Sequence, residues 1–479
     1  MTHDGDAATP SGQVARPGQA RESVRESARD VPVIGEYEVV VVGGGPAGLM
    51  AATAAARAGR STVLIERYGF LGGAGTMGGL STFCGLHARV EGEDRRVIRG
   101  YADELLDRLT ALDGLNDPHL SVQDRIAAQA YDISAYKIAA DELVLAGGGE
   151  LLFHAMAVGL VLSEDGAAGG ARIDAVIVES KSGRGAIRGQ MFIDGSGDGD
   201  LASWAGAPLE VAETLLYPSL MFRINGVDPE RAGEAWKTVA RLMDEAEAAG
   251  THHFPRKKPI VRPQRHPTEW RSNLTQLSND DGSPVDGTDV RQLTHGEIQG
   301  RRQVRETFDF IKTRTPGFED SYVVDIAPQI GIRETRRIVG PYQLTEDDIL
   351  GCADFPDTIG VNGWPVEAHV AGTVAFRFPP EESRGFNQLP FRMIVPDGVA
   401  NLYAVGRCAS MTHRGQSSAR VSGPCFAMGQ AAGTAADLAL GAGVAVGDVD
   451  VTALQRRLLD DGAYLGTDRP ATHRPAGVR

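Results

Sequence analysis

The stretch Val39-Val40-Val41-Val42-Gly43-Gly44-Gly45-Pro46-Ala47-Gly48 decides the reading of the fold. Its four valines form a short, continuous apolar run, as expected of a parallel strand buried on both faces. The glycines follow as G-x-G-x-x-G. Gly43 permits the tight turn, Gly45 lets backbone approach a pyrophosphate, and Gly48 lets the next helix pack close to the strand. An alanine-rich helix follows from Ala47 to Ala58, with Gly59 as its C-terminal stop. Thr62-Val63-Leu64-Ile65 is the second strand and ends at Glu66, 18 residues past Gly48. A carboxylate at that place accepts hydrogen bonds from ribose hydroxyls. This context predicts a complete dinucleotide-binding βαβ unit. The alternative is a glycine turn in an ordinary α/β domain.

The residues after Glu66 separate two dinucleotides. They read Arg67-Tyr68-Gly69-Phe70-Leu71-Gly72-Gly73-Ala74, with a second glycine doublet, Gly72 and Gly73, soon after the acid. Such a segment suits FAD, an extended cofactor, whereas an NAD domain goes straight into another helix. No second G-x-G-x-x-G directly follows an expected strand, so a built-in nicotinamide domain is not expected. Further strands are expected at 151–160, which carries Ala157 as another cofactor contact, at 174–179 and at 191–193. From about 211 to 395 the texture changes to basic, proline-rich loops and a polar helix at about 297–312. It then returns to a strand at 402–405 and a small-residue helix at 429–440. The chain therefore divides into a disordered leader (1–34), an FAD-binding domain in two pieces (35–210 and 396–465), a substrate domain between them (211–395) and a disordered tail (466–479).

With 479 residues, 42% of them hydrophobic, the chain can bury two or three cores. Its formal charge of −15 repels a phosphate backbone, so nucleic acid is not an expected partner. An anionic cofactor must then be met locally, by backbone N–H groups and a helix dipole. Cys84, Cys352, Cys408 and Cys425 form no C-x-x-C pair. They read as reduced thiols, with no metal site expected. No apolar run reaches the roughly 20 residues of a membrane span. The first residues hold no apolar signal core, and the expected compartment is the cytoplasm.

Several segments, in this order, carry a resemblance. They are 40–48 with 66–73; Phe192-Ile193-Asp194-Gly195-Ser196-Gly197-Asp198-Gly199-Asp200; Gln329-Ile330-Gly331-Ile332-Arg333-Glu334-Thr335-Arg336-Arg337; Leu389-Pro390-Phe391-Arg392; and 402–407 with Gly429-Gln430-Ala431-Ala432-Gly433. Over about residues 37–440 the chain resembles FAD-dependent oxidoreductases of the glutathione-reductase-type flavin fold. More narrowly, it resembles a bacterial family related to the flavoprotein subunits of fumarate reductase. The resemblance implies an α/β fold: a Rossmann-type, glutathione-reductase-like FAD-binding domain with an inserted α+β substrate domain. It implies that Gly195, Ser196 and Gly197 close over the FAD phosphates. Gly406 and Arg407 stand where relatives have a Gly-Asp pair at the ribityl chain, with Arg407 in place of the acid. A helix beginning near Gly429 and carrying Ala432 would aim its N-terminus at the flavin pyrimidine.

The chemical candidates are His369, His413, Arg333, Arg336 and Arg392. A histidine is a natural base for an O–H or N–H proton lost as hydride leaves for flavin N5. His369, close behind Glu367, competes for that role with His413; the alternative is a hydrogen-bonded structural histidine for His369 and a loop contact for His413. The three arginines suit a substrate carboxylate, or else they pair with Glu334, Asp325 and other acids. Cys84 or His87 facing the flavin could link it covalently, with noncovalent FAD as the base case. Arg256-Lys257-Lys258 reads as a solvated basic loop. The expected activity is hydride transfer between a small organic substrate and flavin N5, in the dehydrogenase or oxidase direction. Its rivals are a fumarate-reductase-like reduction of an activated C=C bond and a flavin-bearing electron-transfer subunit without a substrate. The second electron partner and homo-oligomeric assembly stay open.

Overall fold

The first valine run lies at the centre of a seven-stranded sheet. The computed structural model describes residues 24–122, 124–163 and 170–467. The expected leader lies outside these residues up to residue 23, and the expected tail from residue 468. The first strand spans Val33–Val42, so it begins inside the stretch read as leader. Its first half is mostly exposed and is held by backbone pairing to 186–189, not by apolar burial. Hydrophobic pattern carries no record of such pairing, so Val33 and Ile34 read as leader.

Parallel pairing joins Glu150–Leu152, Thr62–Ile65, Val33–Val42 and Gly183–Asp194 in that order. Leu402–Ala404 adds a further parallel strand beside Phe192 to Asp194. The antiparallel strands Ile173–Ser180 and Met156–Leu162 extend the other end. The core is thus mixed α/β around a parallel sheet. Alternation splits the valines between two cores. Val39 and Val41 pack among the helices Pro46–Arg57, Ile133–Ala146 and Ser422–Ala442. Val40 and Val42 pack on the other face with Phe192, Leu201 and Ala202. The first helix and Ser422–Ala442 approach closely because both are built of small residues: a Cβ on Gly433 would stand 2.2 Å from the Ala51 carbonyl oxygen.

A second body lies in the middle of the chain. Ile260–Pro263, Trp270–Asn273, Phe222–Asn225 and Tyr322–Ile326 form a four-stranded antiparallel sheet. Helices Ala235–Ala248 and Val290–Arg314 contribute Val239, Met243, Val304 and Phe310 to its own apolar cluster, around Phe222, Trp270 and Phe318. The polar helix is longer than its pattern suggested, because Asp289 caps it by accepting the Arg291 and Gln292 N–H groups. Not all of 211–395 belongs to this body. Leu344, Ile359, Val361, Leu389 and Ile394 join the large cluster around the cofactor sheet. Among the described residues, no helix is long and apolar enough to cross a membrane.

Candidate active site

The glycine turn after the first strand opens one side of a long cleft with about 1550 Å³ of empty space. Backbone forms much of its wall. A Cβ on Gly43 would lie 2.4 Å from the Gly195 carbonyl oxygen, and one on Gly73 would lie 2.7 Å from Gly45 Cα. Gly43 and Gly73 also have φ of +96° and +51°, which suits glycine. At Gly45 the nearest atom to such a Cβ is 3.9 Å away, so this glycine faces open space. Gly45 caps the first helix without a side chain, which leaves the helix N-terminus facing an anion site.

Gly43, Gly45, Pro46 and Ala47 line the cleft, as do Glu66, Arg67 and Gly73. Ala157, Gly195, Ser196, Gly197, Gly406 and Arg407 do too. Glu66 is buried, and its two oxygens accept the Gly44 and Tyr68 N–H groups at 2.7 and 3.0 Å. Burial raises its pKa, opposed by those two hydrogen bonds. Asp194 underlies the second turn, accepting from the Ser196 N–H, the Ser196 hydroxyl and the Ala202 N–H. Arg407 donates to Asp198 at 2.9 Å. Four predicted residues lie off the cleft. Gly48 packs on the first turn, where a Cβ would meet the Gly43 carbonyl oxygen at 1.9 Å. Gly72 sits against Thr76 and Tyr136. Gly429 and Ala432 are interior to Ser422–Ala442, and Gly429 abuts the Ala47 carbonyl. The expected helix start near Gly429 is therefore corrected: the helix begins at Ser422, and Arg420, Val421, Ser422 and Cys425 reach the cleft. Continuous small residues hid this start, since Gly429 serves helix packing.

A second cavity of about 940 Å³ adjoins the first, sharing Ala74, Leu80, Thr82, Ile332, Arg420 and Val421 with it. Trp364, Phe376, Ile126 and Met221 form its apolar wall. Glu367, His369, Arg262, Arg271 and Arg333 supply charge or hydrogen bonds. His369 is on the strand Val366–Val370, with Nε2 3.1 Å from Glu367 Oε1. Burial, aided by the Arg333 charge, lowers its pKa well below the usual range. Glu367 is opposed by burial, yet His369, Arg420 and the Trp364 indole N–H hold its carboxyl down to about 2. An ionised carboxylate only accepts, so neutral His369 donates from Nε2 and keeps a free lone pair on Nδ1.

Of the five chemical candidates, the structure brings His369 and Arg333 to this cavity. Arg333 donates to the Tyr217 carbonyl and the Ser219 hydroxyl. His413, Arg336 and Arg392 line neither cavity. His413 Nδ1 is 2.9 Å from buried Glu334, which also takes Arg337. Arg336 ties the Asp198 carbonyl, Ser203 and Asp200 together. Arg392 forms a pair with Asp357 near the surface. Cys84 lines the second cavity but not the cofactor cleft, and burial pushes its thiol up to about 12. The basic loop is corrected too. Lys257 and Lys258 are exposed, but Arg256 is 2% exposed and donates to Asn273 Oδ1 at 2.9 Å. Arg271 and Arg420 escaped the sequence reading altogether. Arg271 stands inside the buried run Trp270 to Asn273 and Arg420 directly after the buried run Gly415 to Ala419, places that only folding reveals. Among the described residues, no group of three or more His, Cys, Asp or Glu side chains could hold a metal ion.

The chain belongs to the family of FAD dependent oxidoreductases, whose model matches residues 38–458. No curated protein matches it. Among solved structures it is similar to a geranylgeranyl bacteriochlorophyll reductase-like protein from Thermoplasma acidophilum, at 13% identity over 90% of this chain and 84% of that one, with a TM-score of 0.43. It is similar to the OxyS anhydrotetracycline hydroxylase from Streptomyces rimosus at 14% identity, over 85% of this chain and 63% of that one, with a TM-score of 0.40. A p-nitrophenol 4-monooxygenase from Pseudomonas putida is similar at 13% identity, over 91% and 85%, with a TM-score of 0.40. At these values the likenesses carry no argument about substrate or reaction. FAD is the cofactor of the family, and the backbone-walled cleft, the uncapped helix N-terminus and buried Glu66 fit an anionic dinucleotide.

Proposed function

We propose that this FAD-dependent oxidoreductase takes a hydride from a small organic substrate held in the second cavity, with His369 as the general base. The joining of the two cavities at Leu80, Thr82, Arg420 and Val421 carries the reading, because it lets a substrate beside His369 reach a cofactor in the glycine cleft. Gly43, Gly45, Gly73 and the 195–197 turn would hold the pyrophosphate by backbone approach, and Glu66 the ribose. Bound FAD supplies a hydride acceptor at N5. The substrate loses two electrons and a hydrogen nucleus from carbon and a proton from oxygen or nitrogen, leaving a C=O or C=N bond. His369 Nδ1 takes that proton while Glu367 fixes the ring and its tautomer. The electrons leave to dioxygen or another acceptor.

The four-stranded sheet and its helices act, in this reading, as the substrate domain, since Ile260, Arg262, Arg271 and Asn273 face the second cavity. The four free cysteines favour the cytoplasm as the compartment. The test is anaerobic mixing of the yellow holoenzyme with a panel of alcohols, hydroxy acids and amines. Loss of flavin absorbance with one of them supports the reading. Prereduced enzyme that is reoxidised by activated alkenes, with no donor found, would reverse the direction.

A further inference from the structure

The second cavity has an unusual charge balance. Arg262, Arg271, Arg333 and Arg420 line it, and Arg256 stands directly behind Asn273. Against these five guanidiniums the described residues of the cavity offer one carboxylate, Glu367, with His369 neutral beside it. His119, also on the wall, is lowered to about 4 by burial and by Arg271 and Arg262, so it adds no compensating charge. The next acid, Glu334, is already taken by Arg337 and His413. The arginines act on one another: after burial, Arg333 is lowered by Arg256 and Arg420, and Arg256 and Arg262 by Arg271.

Several of their donors have no partner among the described residues. Arg271 is 6% exposed and spends Nη1 on the Leu80 carbonyl, while its Nε is buried and unbonded. Arg420 has both Nε and Nη2 buried and unbonded, with Nη2 4.0 Å from Glu367, beyond hydrogen-bond distance. Arg256 Nη2 is in the same state. A buried charge without a partner is strongly destabilising, and an unmade charged hydrogen bond costs more than a neutral one. A fold that gathers five guanidiniums around one carboxylate, three of them with unbonded donors, calls for an anion to complete them. The opposite wall, of Trp364, Phe376 and Ile126, is apolar and suits a carbon skeleton.

We infer that the cavity binds an organic anion, its carboxylate gripped by Arg271 and Arg420 and its apolar body laid against Trp364 and Phe376. This rests on the proposed function in placing the substrate there, and it names the class of that substrate. Planar guanidiniums match carboxylate geometry in pairs of parallel N–H···O bonds. The excess of arginine over acid favours two anionic groups over one.

The probes are benzamide, benzoate and phthalate, titrated into the holoenzyme while flavin absorbance and melting temperature are followed. Benzoate should bind at least tenfold tighter than benzamide, and phthalate tighter than benzoate, each raising the melting temperature as it saturates. Arg271→Gln should weaken benzoate on the order of ten- to a hundredfold. Arg420→Gln is the second variant, in case the first fails to fold. Equal binding of benzamide and the two anions overturns the inference, as does an anion preference that survives in both variants. Anion binding without flavin reduction by any donor leaves the inference standing and sinks the proposed reaction. Flavin reduction by neutral donors alone, at rates indifferent to Arg271→Gln, does the reverse.

Discussion

The cofactor cleft and the arginine cavity share a wall but are built from different materials. The cleft is a backbone site along its glycines: a Cβ on Gly43 or Gly73 would strike neighbouring backbone, and one on Gly45 would enter open space. The cavity is a side-chain site, in which Arg262 and Arg271, Arg333, Glu367 and His369, and Arg420 come from separate segments. A backbone site tolerates no Cβ where it grips its ligand. A side-chain site can lose one member and keep its shape. Substitutions should therefore empty the first and retune the second.

The sharpest contrast is inside the cleft itself. Gly45→Val should leave almost no bound flavin while the apoprotein keeps its circular dichroism, because the new side chain fills cofactor space and touches no protein atom closely. Gly48→Val should damage the fold as well, since its Cβ would stand 1.9 Å from the Gly43 carbonyl oxygen. If both variants fold and bind FAD alike, the division between gripping and packing glycines fails. A smaller effect is expected at Glu66. Glu66→Ala should weaken FAD about ten- to a hundredfold, the worth of charged hydrogen bonds at roughly 1.5–3 kcal/mol, read by flavin fluorescence titration. Unchanged affinity would remove Glu66 from the ribose.

These two sites also differ in how far they could be read from sequence. Gly43, Gly45 and Gly48 follow one another from a strand end into the first turn of a helix, so local order alone reveals their task. Glu66 is legible because the strand length sets its place. Arg256 was not: it sits beside two exposed lysines, and its partner Asn273 comes from a strand that only folding brings to it. Arg336, Arg392 and His413 looked chemical by position in the chain, yet each meets an acid supplied by a distant segment. The helix at Ser422 was misplaced for a related reason, since the glycines that mark Gly429 and Gly433 record helix contact, not a start. Chemistry carried by consecutive backbone is written locally, whereas chemistry carried by converging side chains exists only after folding.

Within the cavity the effects should be graded. A base must be unprotonated to work, and His369 takes a proton only well below its ordinary 6.5. Flavin reduction should therefore hold steady as pH falls through 6.5 and fail only at more acid pH. Arg333→Gln removes one of the causes of that lowering, so its acid limb should move up in pH. A limb unmoved by this change would detach Arg333 from His369. His413→Ala should leave flavin reduction unchanged but lower stability by about 1–3 kcal/mol, because buried Glu334 loses a partner. Slowed reduction in this variant would put His413 back in contention. Arg392→Ala should change least, within about 0.5 kcal/mol in stability, as a pair near the surface with Asp357.

The central claim is that His369 serves a reaction at the junction of the two cavities. Its most direct test is the rate of anaerobic flavin reduction in His369→Ala, measured by stopped flow against the unmodified holoenzyme with the same donor. The account predicts a slowing on the order of 10²–10⁴-fold with FAD still bound in full. Reduction at the unmodified rate would contradict it.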